Sequence, residues 1–160
     1  MQSVTIICEG KLKEKYLRDA CAEYSKRLTA FCRLNIVELN PYRIPDNPSE
    51  SEIAAALDAE SKDIISKIPA GARIYAMCIE GKQMSSEKLA GQLSSDAVHG
   101  YSNVVFIIGG SHGLSDNVKR IANVRLSMSE MTFPHQLARV MLLEQIYRAY
   151  QISNGGKYHK

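Results

Sequence analysis

The sequence predicts an α/β domain built on a parallel sheet flanked by helices. Three observations carry that prediction. Apolar runs of strand length alternate with segments of helical periodicity along the whole chain. VVFII at 104–108 is uninterrupted by a polar residue and bounded by Asn103 and Gly109, the pattern of a central strand covered on both faces. At 160 residues, 45% of them hydrophobic and 23% charged, the chain fills one core and leaves no room for a second full domain, so residues 1–160 are expected to form one unit.

The elements follow in order. QSVTIIC (2–8) reads as a strand, and over 12–30 Tyr16, Leu17, Ala20, Cys21, Tyr24 and Leu28 share a helical stripe. RLNIVEL (33–39) is a second strand, running into NPYRIPDNPSES, where three prolines among Asn, Asp and Ser forbid regular structure and predict a mobile surface loop. Ser49 and Glu52 have the spacing of a capping box for a helix carrying Ile53, Leu57, Ile64 and Ile68, which Pro69-Ala-Gly71 ends. RIYAMCI (73–79) resumes the strand pattern, and Ser86 is placed to cap a short helix containing Leu89, Ala90 and Leu93. Beyond 104–108, Ser115 caps a brief helix with Val118 and Ile121, VRLSMS (124–129) is another strand, and Pro134 introduces a last helix over 135–152. Parallel sheets bind ligands at the carboxyl ends of their strands, which directs attention to loops 80–85, 109–115 and 128–135.

Composition excludes several classes. Twenty Lys and Arg against 17 Asp and Glu give a formal charge of +3, too small a bias to establish a nucleic-acid partner by bulk electrostatics. Cys8, Cys21, Cys32 and Cys78 are scattered without CxxC or Cys/His spacing, which predicts reduced core thiols and no metal. No apolar run reaches membrane-spanning length, and MQSVTIICEGK lacks a basic leader with an apolar stretch, so a soluble cytoplasmic protein is expected.

Four segments could carry chemistry. In Gly109-Gly110-Ser111-His112-Gly113-Leu114, glycines directly after the most buried strand let the backbone turn sharply and approach a ligand; a plain tight turn has the same composition. It is not a dinucleotide fingerprint, since Ser111 stands where the second glycine of GxGxxG is required, and this disfavours a nucleotide-dependent oxidoreductase. Met128-Ser129-Glu130-Met131-Thr132-Phe133-Pro134-His135 mixes thioether, aromatic and polar groups suited to clasping a flat adenine. A hydrophobic connector with Thr132 as cap would look alike. The last helix is apolar nearly all round, which for a terminal helix points to a partner subunit. Within it Glu144 and Arg148 are spaced to pair, whereas Arg139 has no acidic residue three or four positions away. The tail SNGGKYHK places Lys157, Tyr158, His159 and Lys160 after a flexible Gly-Gly, either to close over a nucleotide or to fray.

Taken together, VTIICEGKLKEKY, IYAMCIEGK, VVFIIGGSHGLS, LSMSEMTFPHQLARVMLLEQIYRAYQI and the terminal YHK cover nearly the whole chain and resemble the SPOUT-superfamily methyltransferases of bacterial large-subunit ribosomal RNA. That resemblance implies a SPOUT-type fold with a C-terminal trefoil knot and a homodimer in which each site borrows from its partner. It implies S-adenosyl-L-methionine-dependent methylation of N3 of a pseudouridine in 23S rRNA, met within the large subunit or the assembled ribosome. Carried over by motif, cofactor contacts fall to Met77, Gly109 and Gly110, and to Met128, Ser129, Glu130, Met131, Thr132 and Phe133. His135 is the candidate for the N3 proton, Arg139 for phosphate or the deprotonated base, and Tyr158 and His159 for holding RNA; His112 is given no chemistry. A non-catalytic ribosome- or RNA-binding module of the same fold is the alternative, and it predicts no cofactor binding.

Overall fold

The computed structural model describes residues 1–160. Its elements are β1 (Ser3–Glu9), α1 (Lys15–Leu28), β2 (Arg33–Leu39), α2 (Glu50–Ser66), β3 (Arg73–Gln83), α3 (Ser86–Val98), β4 (Asn103–Ile108), α4 (Asp116–Ile121), β5 (Val124–Ser127) and α5 (His135–Ser153). The strands lie in the order β2-β1-β4-β3-β5 and every pairing is parallel. All carboxyl ends therefore meet at one edge of the sheet. The apolar run in β4 becomes the central strand, as its composition requires.

Alternation along the strands separates two cores. Val4, Ile6 and Cys8 of β1 and Val104, Phe106 and Ile108 of β4 face α1, α3 and α5, while Ile7, Val105 and Ile107 face α2 and α4. Tyr75 is fully buried and stacks on Phe106 with ring centroids 4.7 Å apart. A phenol taken out of water needs a partner, and Asp96 of α3 accepts its hydrogen bond. The carboxylate also receives Gln92 at 3.2 Å and pairs with Arg73 at 3.1 Å, so this buried charge is compensated.

Local signals were accurate where a side chain meets its own backbone. Ser49 and Glu52 form the reciprocal capping box, and Ser115 accepts from the Val118 amide. The third cap is Ser85, not Ser86: the Ser85 hydroxyl accepts from the Lys88 amide, and Ser86 already belongs to the helix. The stretch 40–49 is without regular structure, as its prolines demand. Tyr16 departs from the predicted stripe and is 70% exposed. It lies about 100° round the helix from Leu17, beyond the arc on which Leu17, Cys21 and Leu28 are buried.

The apolar circumference of α5 is met largely within the chain. The helix packs between α1 and α3 on the sheet, burying Leu142, Leu143, Ile146 and Ala149. The tail then folds back over its outer side. Tyr158 meets Tyr147 edge-on at 4.9 Å, its hydroxyl donates to Glu144 at 2.9 Å, and Arg148 lies 4.7 Å from its ring centroid. Arg148 also donates to Nδ1 of His159, whose Nε2–H reaches Glu87 at 2.7 Å. Leu137, 38% exposed, is the large apolar side chain that α5 leaves uncovered. Neighbouring helices and the tail thus cover much of the apolar circumference of α5 within one chain, while Val140, Met141, Tyr147 and Ile152 remain half-buried.

A candidate cofactor cleft at the carboxyl edge of the sheet

A cleft of about 830 Å³ opens where β3, β4 and β5 end, within the size range of sites for drug-sized ligands. Three local features build it. Within β3 the pairing with β5 is interrupted between Met77 and Lys82, so residues 78–81 leave the ladder and turn Cys78, Ile79 and Glu80 into the cleft wall. The predicted end of this strand at 79 is thus a bulge, after which pairing resumes to Gln83. Gly81 permits it: a Cβ there would lie 2.8 Å from the Arg125 carbonyl carbon and oxygen.

The second feature is the glycine turn after β4. Gly110 and Gly113 pair as an isolated bridge, and a Cβ on Gly109 would stand 2.3 Å from the Gly113 carbonyl oxygen. Gly110 is less constrained, since a Cβ would meet only the Glu9 Cβ, at 3.6 Å. The third is the loop after β5, which ends at Ser127 rather than 129. There the Ser127 hydroxyl donates to the Ser129 carbonyl at 2.9 Å, and the Met131 amide donates to the Ser129 hydroxyl at 3.0 Å. These bonds fold the segment over the cleft mouth.

The structure brings most of the predicted residues together. Met77, Gly109, Gly110, Met128, Ser129, Met131, Thr132, Phe133 and His135 all line the cleft. Glu130 is the exception in its segment; it is exposed and is not part of the lining. Thr132 caps nothing, and Pro134 occupies the N-cap position of α5. Arg139 is not a free cation. It is 3% exposed and lies outside the lining, with Nη1 2.7 Å from Glu38 of β2 and Nη2 donating to the Gly10 carbonyl at 3.0 Å. Tyr158 and His159 lie against α5 and α3, outside this cleft. Sequence spacing could not reveal Arg139's partner, because Glu38 is 101 residues away.

Two titratable groups are shifted here. His135 opens α5, half-buried, and burial, followed by the charges of Arg139 and Lys13, holds its imidazole below the ordinary histidine value. It is therefore neutral at pH 7 and able to accept a proton. Glu9, at the end of β1 beneath Gly110, is 2% exposed with neither carboxylate oxygen hydrogen-bonded. Burial, reinforced by Glu60 and Asp63, pushes its carboxyl up to about 7. A carboxyl raised in the folded state favours folding fully below its unfolded value, and that contribution is lost as pH rises through the folded value. Glu9→Gln is accordingly expected to flatten the loss of stability between about pH 4.5 and 7 and to stabilise the protein by about 2–3 kcal/mol at pH 8, read from urea unfolding at several pH values. Equal stabilities of the two proteins across that range would refute it.

Cys8, Cys21 and Cys32 are buried free thiols, with burial raising Cys8 to about 12 and Cys32 to about 11; Cys78 alone lines the cleft. The lining suits S-adenosylmethionine. Met77, Ile108, Leu126, Met128 and Phe133 offer apolar and thioether surface to a flat adenine, and the glycine turn exposes backbone to polar edges. Glu80 and Lys119, 2.5 Å apart on the rim, add paired charge that spacing gave no reason to single out. No group of three or more His, Cys, Asp or Glu is placed to hold a metal ion, and no helix is long and apolar enough to cross a membrane.

Comparison with known proteins agrees with this geometry. Residues 2–159 match the protein family described as "Predicted SPOUT methyltransferase". Proteins named ribosomal RNA large subunit methyltransferase H from Clostridium novyi and Clostridioides difficile are 51% and 50% identical over 158 residues, covering 99% of this chain and 99% of theirs. Among solved structures, a probable methyltransferase from Bordetella pertussis superposes with a TM-score of 0.58 at 12% identity, covering 93% of this chain and 95% of that one. The tRNA (m1G37) methyltransferase from Aquifex aeolicus does so with a TM-score of 0.53 at 11% identity, covering 92% of this chain and 70% of that one, a likeness of fold alone. An all-parallel five-stranded sheet with a glycine-turned cleft at its carboxyl edge, matched from end to end by these relatives, places the chain in the SPOUT methyltransferase family.

Proposed function

We propose that the protein methylates 23S rRNA in the large ribosomal subunit, using S-adenosylmethionine at the carboxyl-edge cleft, with N3 of a pseudouridine as acceptor. The observation that carries the reading is the convergence of three loops, distant in sequence, on one cleft in a chain about 50% identical to proteins named for large-subunit rRNA methylation. When bound, S-adenosylmethionine supplies a methyl group activated on sulfonium. The chain's part is to hold the acceptor in line and manage one proton. Met77, Gly109, Gly110 and the loop 128–133 would hold the donor, with Glu130 at most on its outer side. His135, neutral at the cleft mouth, is placed to accept the N3 proton of the acceptor base.

A homodimer acting in the cytoplasm fits the same reading. Met131, 73% exposed, and Leu137 leave apolar surface beside the cleft for a second subunit. Because Tyr158 and His159 lie away from their own cleft, their contact with RNA would be made at the partner's. The C-terminal trefoil knot belongs to the same proposal.

The decisive measurement is mass spectrometry of ribosomal RNA from cells with and without the gene. One methyl group on a large-subunit pseudouridine should disappear with the gene, and an unchanged spectrum would end this reading. His135→Ala should lower kcat by about 100-fold with cofactor affinity retained. The wild-type rate should fall on the acid side only below the ordinary histidine range, because protonation removes the acceptor. An acid limb unchanged by the substitution would assign the proton elsewhere.

A further inference from the structure

The opening segment GKLKEKY supports the family resemblance, yet it contributes nothing to the cleft lining. Its placement shows a use. The loop between β1 and α1 lies against the first turns of α5, beside His135. Gln136 accepts the Lys13 amide at 3.1 Å, Arg139 donates to the Gly10 carbonyl at 3.0 Å, and Arg18 donates to the Leu12 and Lys13 carbonyls at 3.3 and 2.7 Å. Four residues of backbone are thus held at both ends and from within. The side chains are left outside: Lys11 and Lys13 are exposed and in no ion pair, whereas Lys15 is engaged by Asp19 at 2.7 Å. Over residues 11–19 the cations Lys11, Lys13, Lys15 and Arg18 outnumber Glu14 and Asp19 by two, which is most of the chain's formal +3. Lys13 is also close enough to depress the proton affinity of His135, which lines the cleft mouth.

We infer that this clamped loop is a cationic lip that seats the phosphodiester backbone of the RNA beside the cleft, with Lys11 and Lys13 as the phosphate contacts and Gln136 as the residue that positions them. The inference rests on the RNA reading above. Cations held on a fixed backbone lose little freedom on binding, and phosphate contacts set register without reading sequence. They also explain how a chain of low net charge engages RNA: the excess is concentrated in one place.

The test is binding of fluorescently labelled protein to bacterial ribosomes across a series of potassium chloride concentrations at fixed magnesium, with S-adenosylmethionine affinity measured in parallel. The pair Lys11→Gln, Lys13→Gln should weaken ribosome binding at least tenfold and reduce the slope of log affinity against log salt by about 1.4, two phosphate contacts at about 0.7 each. Cofactor affinity should not change. Lys11→Arg with Lys13→Arg should keep the wild-type slope, and Gln136→Ala should weaken binding while changing the slope less. The same charge removed from the end of α2 and its C-cap, by Lys62→Gln and Lys67→Gln, should leave the slope as it is. A double glutamine variant with wild-type slope, or an equal fall in the α2 variant, would overturn the lip. If wild-type protein binds S-adenosylmethionine but not ribosomes, the RNA reading fails and takes the lip with it.

Discussion

Gly109→Ala is expected to abolish measurable cofactor binding, with an affinity loss of about 100-fold or more in calorimetry, or about 2.7 kcal/mol. The added methyl would stand 2.3 Å from the Gly113 carbonyl oxygen and 2.5 Å from its carbon, contacts that no side-chain rotation relieves because both atoms are backbone. Nor does the turn have a simple way to retreat. Gly113 donates to Gly110 at 3.0 Å, adopts a φ of 76°, and leads into Leu114, which is buried against the α2 and α4 side of the sheet. Displacing the turn would disturb that packing as well as the cleft, so a stability loss of about 1–3 kcal/mol should accompany the binding defect. Gly110→Ala separates the two effects. Its methyl meets only Glu9 Cβ at ordinary contact distance, so folding should be nearly unaffected, and any lost affinity reports on the ligand alone. If Gly109→Ala binds S-adenosylmethionine as the wild type does, the glycine turn is not part of the cofactor site.

Arg139→Ala should destabilise the fold by about 2–3 kcal/mol, because it strips a hydrogen bond from the Gly10 carbonyl and leaves Glu38 without its cation. Glu38 is 34% exposed and recovers some hydration, which keeps the figure below that of a fully buried pair. The same change frees the loop that carries Lys11 and Lys13, so methylation should drop sharply while S-adenosylmethionine affinity persists. Glu38→Gln decides how Arg139 acts. As a clamp between α5, β1 and β2, Arg139 needs its carboxylate, and Glu38→Gln should reproduce much of both defects, with clear coupling in a double-mutant cycle. As a phosphate ligand it would be released by Glu38→Gln, and RNA binding would strengthen. Urea unfolding and ribosome binding of the four proteins distinguish these outcomes.

The candidate cleft is partly legible in the sequence. Residues at the ends of strands of a parallel sheet must share an edge, so Met77, Gly109 and the 128–133 segment could be grouped from order and pattern alone. The surroundings of individual side chains are not legible in that way. Glu130 sits among lining residues in sequence but is exposed and outside the lining, in a loop shaped by the Ser127 and Ser129 hydrogen bonds. Glu9 and Gln136 carried no periodic signal at all, and their surroundings come from segments far away in the chain.

The sequence by itself determined the alternation of strands and helices, the central place of 104–108, the capping of α2 and α4, and the edge of the sheet where a ligand would sit. Each of these follows from interactions within a few residues or from the two-sided burial of an apolar run. The tertiary structure decided which charges are free. Arg139, conspicuous in sequence as a cation without a neighbour, is buried against Glu38, while Lys11 and Lys13 stand unpaired on a loop that α5 holds in place. It also laid the tail along α5, so that part of the helix's apolar circumference is covered within the chain. The physical reason is common to all three: hydrogen bonds and ion pairs act over a few ångströms of space, and separation along the chain sets no limit on which groups meet.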